Sequence, residues 1–144
     1  MISNHELSRV ARQAAAEVGF DLAGVASIYA EDFPELGAFS EWIEAGHAGE
    51  MKYLEKRNDS GDLRRASLKN AAPWAKSVIV CALNYNADAP YSTQVYDLAR
   101  GWISRYAWTP RDYHDLLLKR LEHVETAIRA AAAEHHLPVE TRRY

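Results

Sequence analysis

The sequence predicts an α/β domain, in particular an α+β sandwich, on three observations. Amphipathic helical patterns stand near both ends of the chain. Two apolar, strand-like runs, Phe20–Ala26 and Ser77–Leu83, are separated by helical segments. The order helix–strand–helix–helix–strand–helix–strand is that of a layered fold built around one core.

Ser3-Asn-His-Glu6 reads as a capping box, in which serine and glutamate each bond the other's backbone N–H. Leu7, Val10, Ala11, Ala14 and Val18 form one face of the helix it opens, and Gly19 stops it. Phe20–Ala26 follows as a short strand. Pro34 suits the first turn of a second helix, with Phe39, Trp42 and Ile43 as its apolar face and Gly46 at its end. Glu50–Arg57 is expected to be another short helix, pairing Met51 with Leu54. Asn58-Asp-Ser-Gly-Asp62 is turn chemistry, followed by a polar connector. Ser77–Leu83 is apolar on both faces, which predicts a central strand. Residues 84–98 read as an exposed, mobile loop. Thr109 is the expected N-cap of a long helix, with Pro110 in its first turn. Tyr113, Leu116, Leu117, Leu121, Val124 and Ile128 mark its buried stripe. Leu137–Tyr144 is expected to begin a further strand.

Composition bounds the function. The chain has 144 residues, 48% hydrophobic and 26% charged, the profile of a single globular domain. Its apolar runs are too short to span a bilayer, so no membrane partner is expected. No basic segment leads into an apolar stretch at the N-terminus, and cytoplasmic localisation is the expectation. The lone Cys81 allows neither an internal disulfide nor an all-cysteine metal cage from this chain alone. Residues 1–62 carry 12 acids against 5 Lys/Arg, while residues 63–144 carry 8 against 12. The basic second half suits an anionic ligand, although it falls short of a nucleic-acid-binding domain. There is no Gly-rich phosphate loop, His-Glu-x-x-His or Gly-x-Ser-x-Gly, so no reaction follows from motif chemistry.

Gly101–His114 is the densest cluster of ligand-capable side chains, with Trp102, Ser104, Arg105, Tyr106, Trp108 and His114 close together in sequence. Aromatic and arginine side chains concentrate where something is stacked or clamped. Phe20–Ala26, Gly49–Arg57, Ala75–Ile79 with Asn84-Tyr85, Ser104–Trp108 and Arg111–His114, in that order, resemble the N-terminal domain of epoxyqueuosine reductase. The resemblance covers nearly the whole chain. It implies a nitroreductase-like α/β sandwich, here incomplete, forming one side of a cobalamin cleft. Residues 1–144 would be that single domain, without the ferredoxin-like and helical-repeat parts of the family.

The implied activity is that of an oxidoreductase reducing epoxyqueuosine to queuosine in tRNA, with cobalamin and two [4Fe–4S] clusters. The partners implied are tRNA and the C-terminal iron–sulfur part. The cluster cysteines are absent from this chain, and the family's catalytic acid would fall beyond Tyr144. No catalytic residue and no metal ligand is therefore assigned here, and the chain alone is expected to be inactive. Thr109-Pro110 also replaces the family's tight glycine.

The resemblance assigns cofactor contact to Arg57 and Ser104, and the loop's chemistry adds Arg105 and Tyr106. Each has an alternative. Arg57 could complement a helix end, Ser104 could be an ordinary strand-end serine, and the aromatics, Trp108 included, could be core or interdomain packing. Asp112 is accounted for by capping, Tyr113 by the core and His114 by a structural hydrogen bond. His47, the pair His135-His136, Arg142 and Arg143 carry no assignment, and Cys81 reads as a small hydrophobe. Two other functions stay open: a stand-alone corrinoid- or RNA-binding module, and a flavin-binding nitroreductase-like enzyme.

Overall fold

A computed structural model describes residues 2–29, 34–108, 110 and 112–144. The chain has four α-helices among these residues: α1 (Asn4–Glu17), α2 (Gly37–Glu44), α3 (Leu68–Ala71) and α4 (Tyr113–Glu134). Two strands, β1 (Leu22–Ser27) and β2 (Ser77–Ala82), pair in a two-stranded sheet. Bonds from the Asp21 amide to the Ala82 carbonyl and from the Ile28 amide to the Lys76 carbonyl make the pairing antiparallel. The domain is thus mixed helix and sheet, in keeping with the α/β expectation.

The chain divides into two compact units. One comprises the N-terminal stretch to Gly24 together with Val80–Tyr144, and the other is Val25–Ile79. In the first unit α1 packs on α4. The capping box forms as expected, with the Glu6 amide on Ser3 Oγ at 3.2 Å and the Ser3 amide on Glu6 Oε2 at 2.8 Å. Ala11, Ala14 and Ala15 are buried on α1, and Val124, Ile128 and Ala132 on α4. Small residues let the two helix backbones approach closely, so this core is thin and alanine-rich. Gly19 ends the first helical segment at φ 81°, a left-handed conformation that costs glycine little.

Five expectations are corrected. Helix α4 begins at Tyr113, and its N-cap is Asp112, whose side chain accepts from the His114 amide. The Thr109 cap lies outside the described residues, and Pro110 precedes the helix. Asp112 is itself a strong capping residue, and it takes the role. The expected stripe is fully buried only at Val124 and Ile128, and Leu117 and Leu121 are half-buried. Tyr113 is 37% exposed and Leu116 45%, so these two stripe positions at the start of α4 face outward.

Glu50–Arg57 forms no α-helix. Turns carry the chain past Gly49 (φ 54°) into a 3₁₀ turn at Lys52–Leu54. The segment's end is drawn into extended pairing instead: Arg57 bridges Leu63, and the Lys56 carbonyl accepts from the Arg64 amide. β2 has one strand neighbour among the described residues, and Val80 is 60% exposed. Its two apolar faces reflect side-chain chemistry and do not report how many strands flank it. Residues 137–144 form no strand. Side-chain bonds to α4 hold this segment instead, with Arg129 Nε donating to Thr141 Oγ1 at 2.8 Å and Arg143 Nη1 meeting Glu125 Oε2 at 2.8 Å.

In the second unit, a 3₁₀ turn at Pro34–Leu36 leads into α2, and Gly46 at φ 75° follows its end, as expected. Phe39 and Ile43 are half-buried and Trp42 is 37% exposed. The polar connector contains the short helix α3, capped by Ser67 Oγ on the Asn70 amide at 3.1 Å. No helix among the described residues is long and apolar enough to cross a membrane.

Candidate functional site

The first unit carries an aromatic wall between β2 and α4. Its foundation is Asn84, whose amide donates to Asp21 Oδ2 at 2.7 Å and whose Oδ1 accepts from the Asn86 amide at 2.9 Å. Residues 86–91 then run beside a 3₁₀ turn, Arg105–Trp108, and Arg105 ties the two together. Its Nη1 donates to Asn86 Oδ1 and to the Ala87 carbonyl, both at 2.5 Å. Its Nη2 donates to the Ala89 carbonyl at 2.7 Å and to the Pro90 carbonyl at 3.1 Å. The guanidinium carbon also stands 4.7 Å from the Tyr91 ring centre and 5.5 Å from that of Trp108, within cation–π range. The loop expected to be mobile is therefore pinned along its 86–91 part.

Trp108 donates its indole N–H to the Ile103 carbonyl at 3.0 Å and lies 6.3 Å from Trp102, centre to centre. Together Tyr91, Ser92, Trp102, Ser104, Arg105 and Trp108 line a concavity of about 270 Å³. Tyr106 belongs to a second cluster. It meets Tyr85 edge-on at 6.3 Å and Tyr113 at 5.6 Å, and Tyr113 in turn stacks on His114 at 4.1 Å. Of the residues singled out from the sequence, Ser104 and Arg105 share the concavity, and Tyr106 stands outside its lining.

Arg57 lies in the second unit. Rather than ending a helix it forms an isolated antiparallel bridge with Leu63, and its Nη1 donates to the Gly61 carbonyl at 2.8 Å. The turn it latches is closed by Asn58 Oδ1, which accepts from the amides of Ser60 and Asp62. Gly61 adopts φ 88°, where a side chain would be strained. The macrodipole reading of Arg57 falls with the helix, while its contact with a cofactor rests on the family resemblance.

Asp112 and His114 act locally. Asp112 Oδ1 takes both the His114 amide and His114 Nδ1 at 2.8 Å. Those bonds hold the Asp112 carboxyl below its ordinary range, the amide contributing most. Partial burial pushes the Cys81 thiol up, which keeps it protonated and a poor nucleophile or ligand. Sequence reasoning missed the acceptors of Arg105 and the part played by Tyr91. The available signal was an arginine in a loop rich in carbonyls and turn residues.

Residues 65–144 match the family described as Epoxyqueuosine reductase QueG, DUF1730, a segment that contains both aromatic clusters and all of α4. The chain belongs to the epoxyqueuosine reductase family. Curated relatives named epoxyqueuosine reductase include one from Synechococcus sp. (strain RCC307), 33% identical over 118 residues. That alignment covers 81% of this chain and 33% of the relative. A second, from Gloeobacter violaceus, is 34% identical over 121 residues, with the same coverage of 81% and 33%. A third, from Vibrio cholerae, is 31% identical over 119 residues, 81% of this chain and 30% of that protein. The chain thus spans about a third of the length of the epoxyqueuosine reductases it matches. No solved structure matches it. Ser104, Arg105 and Tyr106 lie inside the family segment, and Arg57 lies upstream of it.

Proposed function

We propose that this chain is the cobalamin-cleft portion of an oxidoreductase that reduces epoxyqueuosine to queuosine in tRNA. Its fold would be the nitroreductase-like N-terminal domain of that enzyme. The observation that carries the reading is the open aromatic wall inside the family segment, where Ser104 lies between the indoles of Trp102 and Trp108 in sequence and lines one concavity with them.

The wall's chemistry fits one face of a corrinoid. Exposed aromatic rings suit packing against a large flat ligand, and the small Ser104 side chain lets it approach the backbone. The concavity, at about 270 Å³, is below the roughly 300–1,000 Å³ of enclosing small-molecule pockets, so it would take an edge of the group and not the whole. Cobalamin, when bound, would supply the reduced cobalt centre that delivers electrons to the epoxide carbon. This chain's own residues would bind and orient: Trp102 and Tyr91 by ring contact, Ser104 by its hydroxyl, and Tyr106 from the neighbouring cluster. The residues lining the concavity include no carboxyl group. The acid that protonates the leaving oxygen, and the [4Fe–4S] clusters, would come from the C-terminal iron–sulfur part, and turnover would take place in the cytoplasm.

A titration of hydroxocobalamin into the chain tests the cofactor assignment. A shifted absorption spectrum is expected, and an unchanged one at high protein concentration overturns it. With tRNA carrying epoxyqueuosine and a reductant, the chain alone should give no queuosine. Adding the iron–sulfur part of a relative should restore turnover. Reduction by the chain alone would overturn the assignment of a partial site. A second reading, a corrinoid- or RNA-binding module without chemistry, is favoured by the same acid-free lining. It predicts ligand binding with no turnover even when the iron–sulfur part is supplied.

A further inference from the structure

Arg105 has the charge and position of a ligand contact, yet its terminal donors are spent on the neighbouring loop. Each terminal guanidinium nitrogen carries two hydrogens. Nη1 gives its pair to Asn86 Oδ1 and the Ala87 carbonyl, and Nη2 gives its pair to the carbonyls of Ala89 and Pro90. Four acceptors spread over five consecutive residues are gathered by one planar fork. The rings of Tyr91 and Trp108 stand over the same group.

We infer that Arg105 is a positioning residue: it holds residues 86–91 in the conformation that makes Tyr91 and Ser92 part of the concavity, and it does not itself bond the ligand. Four bonds, three to backbone carbonyls and one to the Asn86 amide oxygen, would have to break before these donors could turn to a ligand. Its acceptors are all neutral, so the positive charge is kept at the wall while the four terminal N–H donors are engaged. An anionic group arriving there would feel the charge with no terminal N–H left to bond it. A lysine would preserve that charge. It could not preserve the latch, because an ammonium is a point donor with three hydrogens and cannot span four acceptors in a plane. The identity of the ligand rests on the proposed cobalamin function, whereas the latch does not.

Hydrogen exchange on the full chain, read by mass spectrometry without ligand, separates the two roles. In both Arg105→Lys and Arg105→Ala, peptides covering residues 86–94 should lose protection by about tenfold or more, as expected when a charged hydrogen bond is removed. Peptides from α1 and α4 should be unchanged. Hydroxocobalamin affinity should fall alike in both variants. Wild-type protection and affinity in Arg105→Lys would overturn the proposal, since charge alone would then suffice. Unchanged protection with lost affinity would overturn it too, by making Arg105 a direct contact.

Should either substitution also expose α1 and α4, nitrogen-15 spectra of the unsubstituted protein decide the matter. Separate, slowly exchanging Arg105 Nη–H signals support the latch, and a single averaged signal overturns it. If the unsubstituted chain fails to bind hydroxocobalamin, the cofactor assignment fails, while the exchange result still decides the role of Arg105.

Discussion

Arg120, on α4, donates from Nη1 to the carbonyl of Gly19 at 2.8 Å, joining residues 101 positions apart. The same guanidinium stands 5.9 Å from the ring centre of the buried Phe20. The carbonyl it reaches lies just past the end of α1, where backbone acceptors lack intrahelical partners. Arg120 therefore closes the end of one helix from the side of another. Arg120→Ala should destabilise the fold by about 1 kcal/mol, less than the usual worth of a charged hydrogen bond because this one is exposed to water. Urea unfolding should show a lower midpoint with an unchanged slope.

The α1–α4 contact depends on small residues. Ala132 is fully buried and Ala11 and Ala15 are 1% exposed, so the helices have no room for added methylenes. Ala132→Leu should cost about 1–3 kcal/mol through overpacking. Ala133→Leu, one position along on the exposed face, should be close to neutral. Thermal melts of the two variants provide the comparison, and equal melting temperatures would contradict the packing described.

Which features were legible in the sequence follows from how local their physics is. The Ser3–Glu6 capping box and the glycine stop at Gly19 involve residues within one turn, and both form as read. The helix at Glu50–Arg57 fails because Gly46 and Gly49 take left-handed conformations just ahead of it. Thr109 and Asp112 are both cap-forming residue types, and three-residue spacing alone does not rank them. The Arg105 latch was illegible for a different reason. Three of its four acceptors are backbone carbonyls, which every residue has, at sequence distances of 15 to 18. Ser104 was found because the family resemblance pointed to it, and geometry then supplied its neighbours, Trp102 and Trp108.

Ser104 offers the most direct probe of the concavity. Its side chain is small and lines the same space as the two indoles. Ser104→Trp fills that space without removing any hydrogen bond of Arg105 or Trp108. Hydroxocobalamin binding, read from its absorption spectrum, should weaken by about tenfold or more, since overfilled sites lose contact and add strain. Ser104→Ala should have a smaller effect, limited to the hydroxyl. Equal binding by the two variants would place the ligand elsewhere on the wall.

Acid should release the C-terminal segment before it unfolds the helices. Glu125 accepts from the Thr141 hydroxyl, from Arg129 at 3.1 Å, and pairs with Arg143 at 2.8 Å. These partners, the Thr141 bond foremost, hold its carboxyl below the ordinary glutamate value of 4.5. A depressed carboxyl binds its proton more weakly folded than unfolded. The stabilisation it provides is thus complete above about pH 4.5 and is lost as the pH falls through the lower folded value. Amide protection near Thr141 should therefore drop on acidification while that of Ile128 and Ala132 persists. In Glu125→Gln the segment should be loosened already at neutral pH, with its acid dependence flattened. A Glu125→Gln segment that keeps full protection at pH 7 would show that residues 139–144 are held by packing and not by this charge network.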